Sequence, residues 1–308
     1  MSHDRPYIGI GLMLGFCLIA PMGDAVAKLL GDSVPMAQVI LVRFGLQAVM
    51  LIPLIWMTGR MWRMRGRVLG LAFLRTLLHI LGIAAMFMAL RYLPLADAVA
   101  IAFVMPFFML LLGHFVLGEV VGPRRMLACL VGFAGTLLVV QPSFTTVGWP
   151  ALLPVFVAAN FSVFMLITRQ LAKHTDPVGL QAVNGVMAVA VVIPFLLLGT
   201  VWQAAPLQII APSGWQWSLL IGIGVLGTGA HLLMTWALRY APSATLAPMQ
   251  YLEIPFATVL GLVIFADLPD PVATLGIAII MAAGLYIILC ERASAQRLAL
   301  KAAQPAPA

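Results

Sequence analysis

The chain has 308 residues, of which 63% are hydrophobic and 9% charged, with a net charge of +7 and a mean hydropathy of +1.09. A water-soluble domain carries about 25% charged residues, so this composition excludes a soluble globular protein and makes lipid the solvent for most of the chain. The basic residues are short flanks to apolar runs, which excludes a nucleic-acid surface and makes them topology signals.

Backbone groups in lipid must bond within the protein, so only helices or a closed barrel can cross. Barrel strands alternate over about ten residues; the runs here are continuously apolar. An all-α polytopic membrane protein follows. A spanning helix needs about 20 apolar residues. The sequence predicts ten, over 8–30, 36–58, 68–90, 95–117, 125–141, 149–169, 178–199, 215–237, 244–266 and 272–290. The first run is too long for a secretory signal and is preceded only by Arg5, so it reads as a retained span. Breaks are expected at Asp32-Ser33-Val34-Pro35, from Arg60 to Arg67, and at Leu93-Pro94, Gly122-Pro123, Gln141-Pro142, Asp176-Pro177 and Asp267 to Pro271. The segment from Trp202 to Ser218 is the longest break, and its tryptophans suit an interface. Cys17, Cys129 and Cys290 each sit in an apolar run without metal-ligand spacing and read as small buried hydrophobes.

With the N-terminus inside, Arg5, Arg60, Arg63, Arg65, Arg67, Arg124, Arg125, Arg169, Lys173, Arg239, Arg292, Arg297 and Lys301 fall on the inner side. Only Lys28 and Arg91 fall outside, while Arg43 and Arg75 lie within spans. That bias predicts that both termini are cytoplasmic.

One phrase occurs twice. Ala89-Leu90-Arg91-Tyr92, followed by Pro94 and Ala96, recurs as Ala237-Leu238-Arg239-Tyr240, followed by Pro242 and Ala244. Each copy is trailed by a proline (Pro106, Pro255), a glycine (Gly113, Gly261) and an acid (Glu119, Asp267). The chain therefore divides into five-helix repeats at 8–141 and 149–290, with a cytoplasmic tail at 291–308. Five is odd, so the copies run in opposite directions through the bilayer. Inverted repeats place a solute site near the midplane, between the halves.

These marks, with the stretch Tyr251-Leu252-Glu253-Ile254-Pro255, resemble the drug/metabolite transporter superfamily with two EamA-type domains, over roughly residues 8 to 290. The fourth span departs from that pattern, having Met105-Pro106 without a glutamate, so Glu253 has no twin in the first repeat. The Leu74-Arg75 start of the third span loosely resembles bacterial carriers for S-adenosylmethionine, riboflavin and related metabolites. The resemblance implies a central pocket between spans 1–4 and 6–9, with spans five and ten peripheral.

Polar residues inside spans need a partner or a wet cavity. Asp24 and Lys28 share a face of span one, as a site wall or as an ion pair with Lys28 snorkelling. Arg43 and Gln47 repeat that spacing on span two. Arg43 is the best-placed fixed positive charge for a carboxylate or phosphate, or else neutralises Asp24 or Glu253. Arg75 and His79 share a face of span three. Arg75 either snorkels to the inner end or joins the site; His79 contacts solute, carries a proton or serves as a structural hydrogen-bonder. Gln250, Tyr251 and Glu253 precede Pro255, a proline that frees a backbone carbonyl and can bend span nine. His231 and Trp236 on span eight complete the expected substrate-binding set. Asn160 and Asn184 read as helix glue, Gln181 as too near the inner end to matter, and His114 as facing the outer interface or a neighbouring helix.

No Walker loop, dinucleotide glycine motif, nucleophile elbow or HExxH motif is present, which argues against ATP-driven pumping and against enzymatic chemistry by this chain. The expected partners are a small-molecule solute and membrane lipid, with no nucleic acid, no cofactor and no metal; a homodimer is compatible. The reading is a secondary transporter working by alternating access. Its expected solute is a riboflavin-like vitamin first, then an S-adenosylmethionine-like or amino-acid compound. The rivals are a lipid-handling or accessory membrane protein, and an intramembrane enzyme using Glu253 with His79 or His231.

Overall fold

The computed structural model describes residues 6–31, 33–105, 107–108, 112, 123–172, 174–202, 207–241 and 246–302. Among these are ten α-helices: α1 (Pro6–Leu30), α2 (Met36–Thr58), α3 (Gly66–Leu90), α4 (Leu95–Ala102), α5 (Pro123–Val147), α6 (Leu153–Ala172), α7 (Pro177–Trp202), α8 (Gly214–Tyr240), α9 (Glu253–Phe265) and α10 (Pro271–Ala302). No strand occurs among the described residues. Seven helical stretches are long and apolar enough to cross a membrane, and Met249–Phe265 and Pro271–Tyr286 are shorter apolar helices.

The punctuation follows the local chemistry. Proline has no N–H and a preset φ, so it suits a first helical turn, where no donor is required. Pro6, Pro123, Pro177 and Pro271 each open a helix. Asp176 and Asp270 cap the last two of these, each accepting from two backbone N–H groups of the first turn at 2.7 to 3.1 Å. Ser213 and Gln216 form a reciprocal capping box on α8.

Two expectations are corrected. Gln141-Pro142 is not a break: α5 runs on to Val147, and the chain turns at Gly148, whose φ of 73° suits glycine. Span nine is not one bent helix. A 3₁₀ turn over Ala247–Leu252 ends where α9 begins at Glu253. Pro255 has no N–H for the ladder, and as the third residue of a new helix it needs none. On span four, α4 stops at Ala102, ahead of Met105. Pro106, Gly113, His114, Glu119, Pro242 and Ala244 lie outside the described residues, so five of the repeat marks go unplaced. The expected tail starts as a continuation of α10, which reaches Ala302.

The helices form two inverted five-helix repeats. Their packing is that of a pseudo-twofold: α1 lies along α8 as α6 lies along α3, and α2·α7, α4·α9 and α5·α10 pair across the axis. The α5·α10 contact is close because each helix offers a glycine. A Cβ on Gly276 would stand 2.6 Å from the Gly135 carbonyl oxygen. That pair sits to one side, and none of its described side chains lines the central cavity.

Candidate solute site

A cavity of about 160 Å³ opens between the two repeats. A protein cavity of about 150 Å³ accepts one benzene ring. Its residues come from the middle and C-terminal parts of α1 and α3, the N-terminal and middle parts of α6 and α8, α4 with Phe103 and Met105, Arg43 of α2, and the 3₁₀–α9 junction. The cavity therefore lies toward the end where Lys28 sits and away from the end where Asp176 sits.

Its walls are mostly aromatic and aliphatic, with Phe16, Phe87, Phe103, Phe161 and Phe164 supplying rings. Phe161 and Phe164 are stacked at 5.3 Å. Against this surface stand Asp24, Arg43, His79, Asn160, His231, Gln250 and Glu253. Six of these seven belong to the eleven residues expected from sequence. The seventh, Asn160, donates to the Leu78 carbonyl at 2.8 Å and so glues α6 to α3 while lining the cavity.

Arg43 reaches the cavity through a notch in α8. A Cβ on Gly227 would lie 2.6 Å from its Nε and 2.9 Å from its guanidinium carbon, so glycine lets the guanidinium lie where it does and any side chain would push it aside. The guanidinium carbon lies 5.1 Å from the Phe44 ring centroid. Its Nη1 is buried with no hydrogen-bond partner. Asp24 and Glu253 approach the same cavity, yet neither forms an ion pair with Arg43 within 4 Å among the described residues. Glu253 occupies the first turn of a helix that begins in mid-span. The partial positive charge of a helix N-terminus favours an acid there. Gln250, on the preceding 3₁₀ turn, leaves its Oε1 buried without a partner. His79 and His231 meet at the cavity floor, Nε2 to Nε2, at 3.2 Å. The site thus offers unspent donors and acceptors around an apolar slot, the usual design of a pocket for an organic molecule. No cluster of three metal-ligating side chains occurs among the described residues.

The EamA-like transporter family model matches the chain twice, over residues 7–141 and 148–290. The chain belongs to the EamA-like transporter family. It is similar to the riboflavin transporter of Rhizobium johnstonii, at 31% identity over 72% of this chain and 74% of that one. The riboflavin transporter of Brucella anthropi is 29% identical over 71% and 76%. The S-adenosylmethionine uptake transporter of Rickettsia felis is 25% identical over 94% and 95%. A crystal structure at 18% identity covers 95% of this chain and 99% of its own with a TM-score of 0.66, a likeness of fold.

Five expected residues stand off the cavity of this EamA-like transporter. Lys28 does not pair with Asp24. Its Nζ donates to Asp267 at 2.8 Å and to the Leu93 carbonyl at 3.2 Å, and sits 4.7 Å from the centre of the Phe265 ring. The long stem carries its charge to the bundle end, where Asp267 is 37% exposed. Gln47 donates to the Gln181 backbone oxygen at 2.6 Å and lies against its side chain. Arg75 does not snorkel. It is wholly buried, with Nε donating to Thr168 at 2.8 Å, Nη1 to Asn184 at 3.0 Å, and the Phe164 ring 4.5 Å away. Trp236 packs with Leu51, Ile55, Val178 and Ala182. Tyr251 turns to α10, where Gly284 makes room for its ring, and lies 5.2 Å from the Phe103 ring.

Two features were missed. The aromatic wall is invisible in spans that are apolar all round, because no periodicity separates lipid from cavity. Gln181 is fully buried and central rather than peripheral, donating to the His231 backbone oxygen at 3.1 Å and to Thr235 at 2.8 Å. No described side chain of α7 lines the cavity, and the helix braces the floor from behind α2. Beyond that floor, at the Asp176 end, Asp176 takes Arg60 at 3.0 Å and Arg239 at 4.0 Å.

Proposed function

We propose that this transporter is a secondary carrier of the bacterial-type inner membrane that moves a small organic solute with a planar ring and polar edges. A riboflavin-like vitamin is the first choice, and an S-adenosylmethionine-like or amino-acid solute the next. The observation that carries the reading is the cavity between the inverted halves, with Arg43 reaching it unpaired through the Gly227 notch. The aromatic walls suit a ring face. Arg43 offers a fixed positive charge to a carboxylate, phosphate or ring carbonyl. Asp24, Glu253 and the Gln250 oxygen offer acceptors to amino or hydroxyl groups. The relatives named for riboflavin and S-adenosylmethionine carry solutes that combine a flat ring with such edges.

Alternating access follows from the two ends. Repeats 8–141 and 149–290 are the moving units. The Lys28–Asp267 contact closes one end in one state, and the Arg60–Asp176 contact, which also joins the two repeats, closes the other. The basic-residue bias supports cytoplasmic termini, which puts the Lys28 end outside.

The test is uptake of radiolabelled riboflavin and of S-adenosylmethionine by proteoliposomes. Saturable riboflavin uptake, lost in Arg43→Ala and reduced in Glu253→Gln, is the expected result. Uptake of neither compound by folded protein would overturn the proposed solute class. Chemical conversion without movement would point to an enzyme, and neither uptake nor conversion to an accessory role.

A further inference from the structure

We propose that His231 presents a fixed hydrogen-bond donor, Nδ1–H, to the cavity, and that Arg75 sets it from outside through Asn184 and His79. This rests on the cavity being the solute site.

These side chains form a chain of donors and acceptors, with the Thr76 hydroxyl beside Arg75 on the Asn184 oxygen at 3.1 Å. A guanidinium has donors only. Arg75 Nη1 lies 3.0 Å from Asn184 Oδ1, so the amide oxygen must be the end that faces it. The amide nitrogen then faces His79 Nδ1 at 3.1 Å. An amide nitrogen has only hydrogens to offer, so His79 Nδ1 accepts and its ring carries the proton on Nε2. His79 Nε2 lies 3.2 Å from His231 Nε2. That nitrogen must accept as well, and the proton of His231 therefore sits on Nδ1. At either nitrogen contact the opposite tautomer would set N–H against N–H.

Packing holds the rings in this order. His79 stands edge-on to Phe44, with centroids 5.0 Å apart, and 4.9 Å from Phe164. His231 stands edge-on to Phe164 and to Phe16. The chain ends on an atom with nothing to donate to: His231 Nδ1 is buried without a partner, on a residue that lines the cavity and is only 8% exposed.

A buried donor without a partner is a standing cost that a bound acceptor relieves. The solute atom seated against His231 is thus a carbonyl oxygen, a carboxylate oxygen or an unprotonated ring nitrogen. Ammonium and other donor-only groups face Asp24 or Glu253 instead. Arg75 touches no solute in this scheme; it is a positioning residue.

The test is ¹⁵N solid-state NMR of histidine-labelled protein in lipid vesicles. The chain has five histidines, and this pair is identified by contact between its two Nε2 nitrogens. One ring protonated at Nε2 and the other at Nδ1, each as a single species, is the expected spectrum. A proton on Nε2 of His231, or on Nδ1 of His79, overturns the proposal. Asn184→Leu removes the donor to His79, and both tautomers should then appear at both rings. An unchanged single-tautomer spectrum in that variant removes the role of Arg75. The wild-type spectrum decides the tautomers even if the variant fails to fold. Uptake measured in the same vesicles separates the two readings. The expected tautomers without uptake defeat the solute assignment alone, and other tautomers with uptake defeat the relay alone.

Discussion

Arg43 and Arg75 are both buried guanidiniums on neighbouring helices, in a region where a charge costs about 3 kcal/mol to insert. Their surroundings are opposite. Arg75 spends its donors on Thr168 and Asn184, lies against the Phe164 ring and leaves only Nη2 over. Arg43 has no hydrogen bond among the described residues, and α8 gives up a side chain at Gly227 to let it through. The first belongs to a layer of polar side chains that brace each other and seal the bundle beneath the cavity. The second has the Phe44 ring at 5.1 Å and the more distant Asp24 carboxylate, but no hydrogen bond and no close ion pair. A buried charge without a hydrogen bond, on a cavity wall, is the group a solute completes.

The comparison breaks if the two variants behave alike. Arg75→Leu removes two hydrogen bonds to a charged group and leaves the Asn184 oxygen only the Thr76 hydroxyl at 3.1 Å. A loss of about 2–3 kcal/mol in unfolding free energy is expected, read as a lower unfolding temperature of purified protein. Arg43→Leu removes no bond within the protein. Its stability should hold or rise, while solute uptake falls at least about tenfold, equal to roughly 1.4 kcal/mol. Gly227→Ala sharpens the same point with a single methyl group. The new Cβ would press on the guanidinium, which must shift to clear it. Overpacking of that kind costs about 1 kcal/mol and should weaken solute binding roughly fivefold, in an equilibrium binding assay, with Arg43 still present.

The sequence carried much of this in some places and none in others. Ten spans and their inversion were legible because apolar length and odd repeat size leave few alternatives. Arg43 and Glu253 were legible because a charge inside an apolar run announces itself. What separates Arg43 from Arg75 was not legible, since each is an arginine with a polar residue four positions on. The difference lies in Thr168, Asn184 and Gly227, which come from the other repeat and meet these arginines only after the halves pack. Residue Phe164 was hidden for a related reason: in a helix apolar on every face, position along the chain does not tell a ring that meets lipid from one that meets solute. The split of span nine was half visible. Pro255 gave the place of a disturbance, but whether the helix bends or restarts depends on the 3₁₀ turn before it.

The smallest expected effect concerns Lys28, which sequence spacing placed beside Asp24 as a site wall or as an ion-pair partner. Its bond to Asp267 lies at the bundle end, with the two side chains 18% and 37% exposed. Ion pairs that water can reach contribute about 0.2–1 kcal/mol. Lys28→Ala should therefore lower stability by less than about 1 kcal/mol and change uptake no more than about twofold. Asp176→Ala at the other end should cost slightly more, because Asp176 also caps α7 and a lost cap costs about 1 kcal/mol. Uptake lost in Lys28→Ala as fully as in Arg43→Leu would mean that Lys28 swings from Asp267 to the solute during transport. The boundary drawn here between closing contacts and solute contacts would then run through Lys28 instead of around it.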